Sequence, residues 1–153
     1  MDCLSPSLIQ IVFPLILSVI LGGFIGIERE YKRKEAGLQT YTLVCLGSCI
    51  FSLLSFRFFE EVFLKTGISF DPSRIIQAVA IGIGFIGAGV IFREKLSVKG
   101  LTTAAGLWVT AGIGIAIGAG FYFLAIFSSF LTVLIFSGLG FIEWKLFEKG
   151  KKE

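Results

Sequence analysis

The sequence predicts an all-α integral membrane bundle of five transmembrane helices, with the N-terminus outside and the C-terminus inside. Three observations carry that expectation. Of the 153 residues, 55% are hydrophobic and 16% charged, with a mean hydropathy of +0.89; a soluble domain carries about 25% charged residues. The apolar residues fall in long runs that reach or approach the ~20 needed to cross a hydrocarbon core of roughly 30 Å as a helix. Of the fourteen Lys and Arg residues, eleven fall in one set of alternating connections and three in the other. The richer set faces the cytoplasm by the positive-inside rule. Residues 1–153 read as a single transmembrane domain.

The elements follow in order. Ser5 and Pro6 read as an N-cap and a proline at the first helical position, and the first span covers about residues 7–27. Pro14 lies inside it and predicts a local kink. Residues 1–7 carry no Lys or Arg, which argues against a cleaved signal peptide. A charged segment, 28–39, precedes the second span at about 40–56. Residues 57–73 read as a longer polar connection. Asp71 and Pro72 form another helix start, and the third span covers about 74–92. Residues 93–100 read as a short basic loop.

The apolar stretch 101–142 is about 42 residues long, twice what one span needs. It turns back at Gly118-Ala119-Gly120, where glycine tolerates positive φ. That gives spans at about 101–117 and 121–142. Tyr31, Tyr41 and Trp144 are expected at the inner interface and Tyr122 at the outer, as amphipathic rings sit.

Composition also excludes functions. The absence of histidine removes His-dependent zinc sites, triads and proton relays. No nucleophile stands beside a base, so an enzyme is not expected. Neither is a cofactor or a metal cluster. The basic residues mark membrane boundaries and do not form a nucleic-acid stripe. Cys45 and Cys49 share a helix face and read as small packing residues. Gly82, Gly84 and Gly87 match G-x-G-x-x-G, but in mid-span, with no strand before them, the match does not indicate a nucleotide site.

The glycines have two readings. Small residues four apart let helix backbones approach in lipid. Gly22 and Gly26, Ala80, Gly84 and Ala88, and Gly114 and Gly118 have that spacing. Alternatively, Gly82–Gly89 is an unwound segment lining a site, as in transporters. Among polar residues, Glu28 follows the first span directly and is placed to pair with Arg29, Arg93 or Lys99. Asp71 and Arg74 are spaced for a salt bridge or a cap. Gln77 lies a turn deeper and needs a partner helix. Thr102 and Thr103 are placed to cap the fourth span or bond a backbone carbonyl. Trp108 reads as buried and in need of an acceptor.

The run Gly23-Phe24-Ile25-Gly26-Ile27-Glu28-Arg29-Glu30 resembles the first signature of the MgtC/SapB family of bacterial membrane proteins. Ala36–Thr40 with Leu43-Val44 is similar to its second. Asp71–Ile75, Gln77 and Gly82–Ile91 resemble its most specific block. Gly100–Ala105, with Leu107, Trp108 and Gly114, resembles the last. The resemblance covers roughly residues 20–122 and the membrane domain alone, without the soluble C-terminal domain of virulence-associated members. Gln39 stands where the family usually has Arg, and Thr102 where some members have Asn.

The resemblance implies a multi-pass inner-membrane protein linked to magnesium limitation and stress. It implies a non-enzymatic, regulatory role through contacts with other membrane proteins, the ATP synthase among them. The second reading is a magnesium or small-solute transporter working as a homo-oligomer. The functional candidates are Glu28, Arg29, Glu30, Asp71, Arg74, Gln77, Gly84, Gly87, Gly89, Thr102, Thr103 and Trp108. On the expected topology Glu28–Glu30, Ala36–Thr40, Gly89–Ile91 and Gly100–Ala105 converge on the inner face.

Overall fold

The computed structural model describes residues 5–67, 71, 73–94 and 97–139. Five helices follow in chain order: α1 (Ser5–Tyr31), α2 (Leu38–Thr66), α3 (Ser73–Val90), α4 (Leu101–Gly118) and α5 (Tyr122–Leu134). A π-helical turn, Ile135–Leu139, continues α5. Strands β1 (Phe92–Glu94) and β2 (Ser97–Lys99) pair antiparallel between α3 and α4. Each of α1 to α4, and α5 together with the π turn, contains a segment long and apolar enough to cross a membrane. The chain is an all-α, five-helix membrane bundle, as the sequence predicts.

Several boundaries differ from expectation. The connection expected at 57–73 is helical as far as Thr66. The basic loop at 93–100 is a hairpin, with Phe92 opposite Lys99 and an ion pair between Lys99 and Glu94. Gly82–Gly89 does not unwind, and α3 is continuous through it. The turn after α4 does fall at 118–120, where Gly120 has φ +85°. Trp144 lies outside the described residues.

α1 ends by a specific device. The Arg33 N–H donates to the Glu30 carbonyl and the Lys34 N–H to the Arg29 carbonyl, at 3.0 and 3.1 Å. This is the Schellman pattern, which needs a left-handed residue at its corner. Arg33 supplies it at φ +51°. The reversed chain enters α2, whose first N–H, on Leu38, donates to Glu30 Oε2 at 3.1 Å. Glu30 therefore caps α2 from across the loop. A Cβ on Gly37 would run into that carboxylate.

α4 is the centre of the bundle. Its buried side includes Thr103, Gly106, Leu107, Thr110, Ala111, Gly114, Ile117 and Gly118. α1, α2, α3 and α5 all pack on it. The α2 face opposite carries Cys45, Ser48, Cys49 and Ser52, all buried. Cys45 and Cys49 pack as expected, and the Cys49 thiol also donates to the Pro14 carbonyl at 3.7 Å. Four of the glycines work as read. A Cβ on Gly22 would sit 2.7 Å from Cys45 Cβ, and one on Gly26 2.7 Å from Leu38 Cα. One on Gly114 would meet the Cys45 carbonyl, and one on Gly118 the Cys49 carbonyl at 2.6 Å.

α3 is different. Only Gly87 among its glycines has a close neighbour, Ala104. A Cβ on Gly82, Gly84 or Gly89 would meet nothing within 4 Å. The expectation that Gly84 is a packing contact therefore fails within one chain, because α3 lies mainly along α4 and turns its other faces outward.

Candidate functional site

One end of the bundle gathers the end of α1, the start of α2, the start of α4 and the π turn after α5. Arg29 is its centre. It ends the apolar run of α1 and is only 2% exposed. Its guanidinium lies 4.0 Å over the Phe136 ring centroid, a cation–π contact. Its Nη1 is 3.6 Å from Glu28 Oε2, an ion pair too long for a hydrogen bond. Glu28 Oε2 and Arg29 Nε are buried without a hydrogen-bond partner.

The other Glu28 oxygen is well engaged. Lys32 Nζ lies 2.6 Å from Oε1, one helical turn on. The Ser137 hydroxyl donates to the same oxygen at 3.2 Å. Lys32 Nζ also donates to the Phe136 carbonyl at 2.9 Å. A π turn displaces backbone carbonyls from the usual α ladder, and here one of them, on Phe136, receives Lys32. Glu28 thus pairs with its neighbours Arg29 and Lys32, and no pair with Lys99 forms, because Lys99 is held by Glu94.

α4 supplies the floor. Gly106 leaves room for two rings: a Cβ there would collide with Phe136 and lie 2.6 Å from Tyr41 Oη. Tyr41 and Phe136 meet edge to face at 6.4 Å. The Tyr41 hydroxyl donates to the Thr103 carbonyl at 3.2 Å. The Thr103 hydroxyl donates to Glu35 Oε2 at 2.5 Å, tying the first loop to α4. That bond, with a second from the Glu35 backbone and the nearby Lys34 and Arg29 charges, holds the Glu35 carboxyl below its ordinary pKa.

The candidates divide into groups. Glu28, Arg29 and Thr103 meet in this cluster. Glu30 caps α2 beside it. Thr102 is exposed on another face of α4; the N-cap of that helix is Gly100, with no side-chain cap, so neither threonine caps it. Asp71 sits at the start of α3 and caps it: its Oδ1 accepts the Ser73 N–H at 2.9 Å. Hydrogen bonding by the Ser73 side chain, and then this backbone bond, holds its carboxyl below the ordinary pKa. Arg74 and Gln77 are exposed on α3, so Gln77 has no partner helix among the described residues. Gly87 packs on Ala104, while Gly84 and Gly89 are open.

Trp108 corrects an expectation. It is 58% exposed, at an apolar groove shared with Ile76 and Leu124. A helix at the bundle centre still has one outward stripe, and in α4, apolar all round, Trp108 lies on it. Tyr41 errs in the other direction: read as an interfacial ring, it is fully buried, whereas Tyr31 is 88% exposed.

Sequence reasoning missed Lys32, Glu35, Tyr41, Gly106, Phe136 and Ser137 as members of the cluster. Lys32 and Glu35 were visible as charges in the first loop. Nothing in the sequence marks Phe136, one of seventeen phenylalanines, as the ring that covers Arg29. Chemically, the cluster presents paired charges and exposed polar groups at a membrane boundary. Both Glu28 oxygens face cations, which disfavours a divalent metal there. Among the described residues, no three acidic, cysteine or histidine side chains group as metal ligands.

The sequence model of the MgtC family matches residues 15–144. YhiD of Escherichia coli K12, whose name proposes a magnesium transporter, is 41% identical over 140 residues, 92% of this chain and 65% of YhiD. SapB of Bacillus subtilis is 40% identical over 136 residues, 88% of this chain and 57% of SapB. MgtC of Salmonella typhimurium is 42% identical over 115 residues, 72% of this chain and 46% of MgtC. The chain thus spans about half to two thirds of the length of these relatives. No solved structure matches it significantly.

Proposed function

The chain belongs to the MgtC family of multi-pass bacterial inner-membrane proteins, and from that premise we propose that it is a non-enzymatic regulator of adaptation to magnesium limitation or related stress. It acts through contacts that other membrane proteins make with the Glu28–Arg29 end of the bundle. The ATP synthase is among the partners that the family resemblance suggests.

One observation carries this reading. Among the described residues, the charged residues of every helix lie at or beyond the ends of its apolar span, with Arg57 closing that of α2, and α4 and α5 hold none. A single chain therefore offers no charged groups at mid-membrane for an ion to follow. The same chain concentrates Glu28, Arg29, Lys32 and Glu35 at one end. The excess of Lys and Arg in these connections supports a cytoplasmic position for that end.

The alternative is a magnesium or solute transporter that builds its pathway from several copies. The name given to YhiD favours it. So does the open surface of α3, where Gly82, Gly84 and Gly89 meet nothing in their own chain.

The test is growth at low magnesium of a strain lacking its MgtC-family protein. Wild type is expected to restore growth. Glu28→Gln and Arg29→Gln are expected to abolish rescue while both proteins still insert in the membrane. Full rescue by both variants removes the cluster from the function.

A further inference from the structure

A groove of about 650 Å³ runs between α2 and α3. Gly47 on one wall and Gly82 on the other have nothing of this chain against them. Leu43, Phe51 and Ile86 stand around it, all exposed. Both helices are long and apolar enough to cross the membrane, so the groove opens sideways on lipid.

Its chemistry changes at one end. There the wall is Thr40, two residues into α2, and Ile86, one turn before the end of α3. The first loop and the hairpin adjoin this end. Arg33 and Lys34 are exposed on the first loop, while on the hairpin Lys99 is paired with Glu94. Of the acids nearby, Glu94 is offset by Lys99, and Glu30 and Glu35 are turned onto the Leu38 N–H and the Thr103 hydroxyl. An apolar trough that runs into a basic rim is complementary to an amphiphile with an anionic head.

We propose that the α2–α3 groove seats one anionic phospholipid, with an acyl chain along Gly47 and Gly82 and the phosphate among the basic side chains beyond Thr40. This inference is independent of the regulatory reading. It needs only the groove, the bilayer and the rim.

Native mass spectrometry of the detergent-purified protein tests it, with equimolar phosphatidylglycerol and phosphatidylcholine offered together. Wild type is expected to retain phosphatidylglycerol on the order of tenfold over phosphatidylcholine, as two or so basic contacts provide. Gly82→Leu and, on the opposite wall, Gly47→Leu enter the groove from positions where a Cβ meets nothing within 4 Å, and are expected to reduce bound lipid of both kinds. Arg33→Asn with Lys34→Gln should erase the preference and leave phosphatidylcholine binding intact; asparagine tolerates the left-handed backbone at position 33.

Equal retention of the two lipids by wild type overturns the proposal, whatever the variants do. So does full lipid retention in a folded Gly82→Leu protein. A dimer mass abolished by Gly82→Leu would give the groove to a second copy. Glycerol phosphate abolishing the preference at a concentration matching the lipid would make the rim a site for a free anion.

Discussion

Gly114→Val is expected to force α2 away from α4 and to cost about 3 kcal/mol of stability, the upper part of the range for overpacking a tight interface. A Cβ at position 114 would overlap the Cys45 carbonyl and lie 2.9 Å from Ser48 Cβ. The first obstacle is backbone, which no rotamer change can move. Cys45 is itself packed on Gly22 of α1, so a displaced α2 also loosens α1. Gly112 lies two residues away on the same helix and meets nothing within 4 Å. Gly112→Ala is therefore expected to be neutral or to stabilise by up to about 1 kcal/mol through helix propensity. Thermal unfolding in detergent separates them: a large drop in melting temperature for the first and none for the second. Equal effects would mean that helix propensity, not the α2–α4 contact, governs both positions.

Arg29→Gln is expected to destabilise by on the order of 3 kcal/mol, the usual cost of breaking a buried ion pair from one side. The loss leaves Glu28 Oε2 buried with no cation beside it and takes the guanidinium off Phe136. Lys32 keeps Glu28 Oε1, so the network does not lose every charge. Arg29→Lys should recover little, since an ammonium lacks the planar face that stacks on Phe136. Lys32 is 34% exposed on its side chain, and Lys32→Gln is expected to cost no more than about 1 kcal/mol. The order Arg29→Gln, Arg29→Lys, Lys32→Gln in falling effect is measured by the same unfolding assay. A larger effect for Lys32→Gln would shift the centre of the cluster to the π turn.

How much of this was legible in the sequence depends on the range of each interaction. Span number and the Gly118–Gly120 turn follow from hydropathy and glycine, which are local. The small-residue contacts at Gly22, Gly26, Gly114 and Gly118 follow from four-residue spacing, which also selected Gly84. Spacing gives the face a glycine lies on, but not whether a neighbour stands there, and at Gly84 none does. Trp108 failed for the same reason: hydropathy in a membrane is equally satisfied by lipid and by protein. Glu28 and Arg29 stood out as charges closing an apolar run. Their partner Phe136 is more than a hundred residues away, and no periodicity reports that meeting. Glu30 was read as a functional candidate, and the structure gives it a capping bond to Leu38, because a charged loop next to a helix start offers both uses.

Magnesium flux into liposomes carrying the purified protein tests the central claim most directly, with Glu28→Gln measured beside wild type. The account predicts that both proteins, well folded, give no flux above protein-free liposomes, because the end of the bundle that the buried Glu28–Arg29 pair organises works as a contact surface. Saturable flux in wild type, lost in Glu28→Gln, would contradict it and make the cluster part of a transport path.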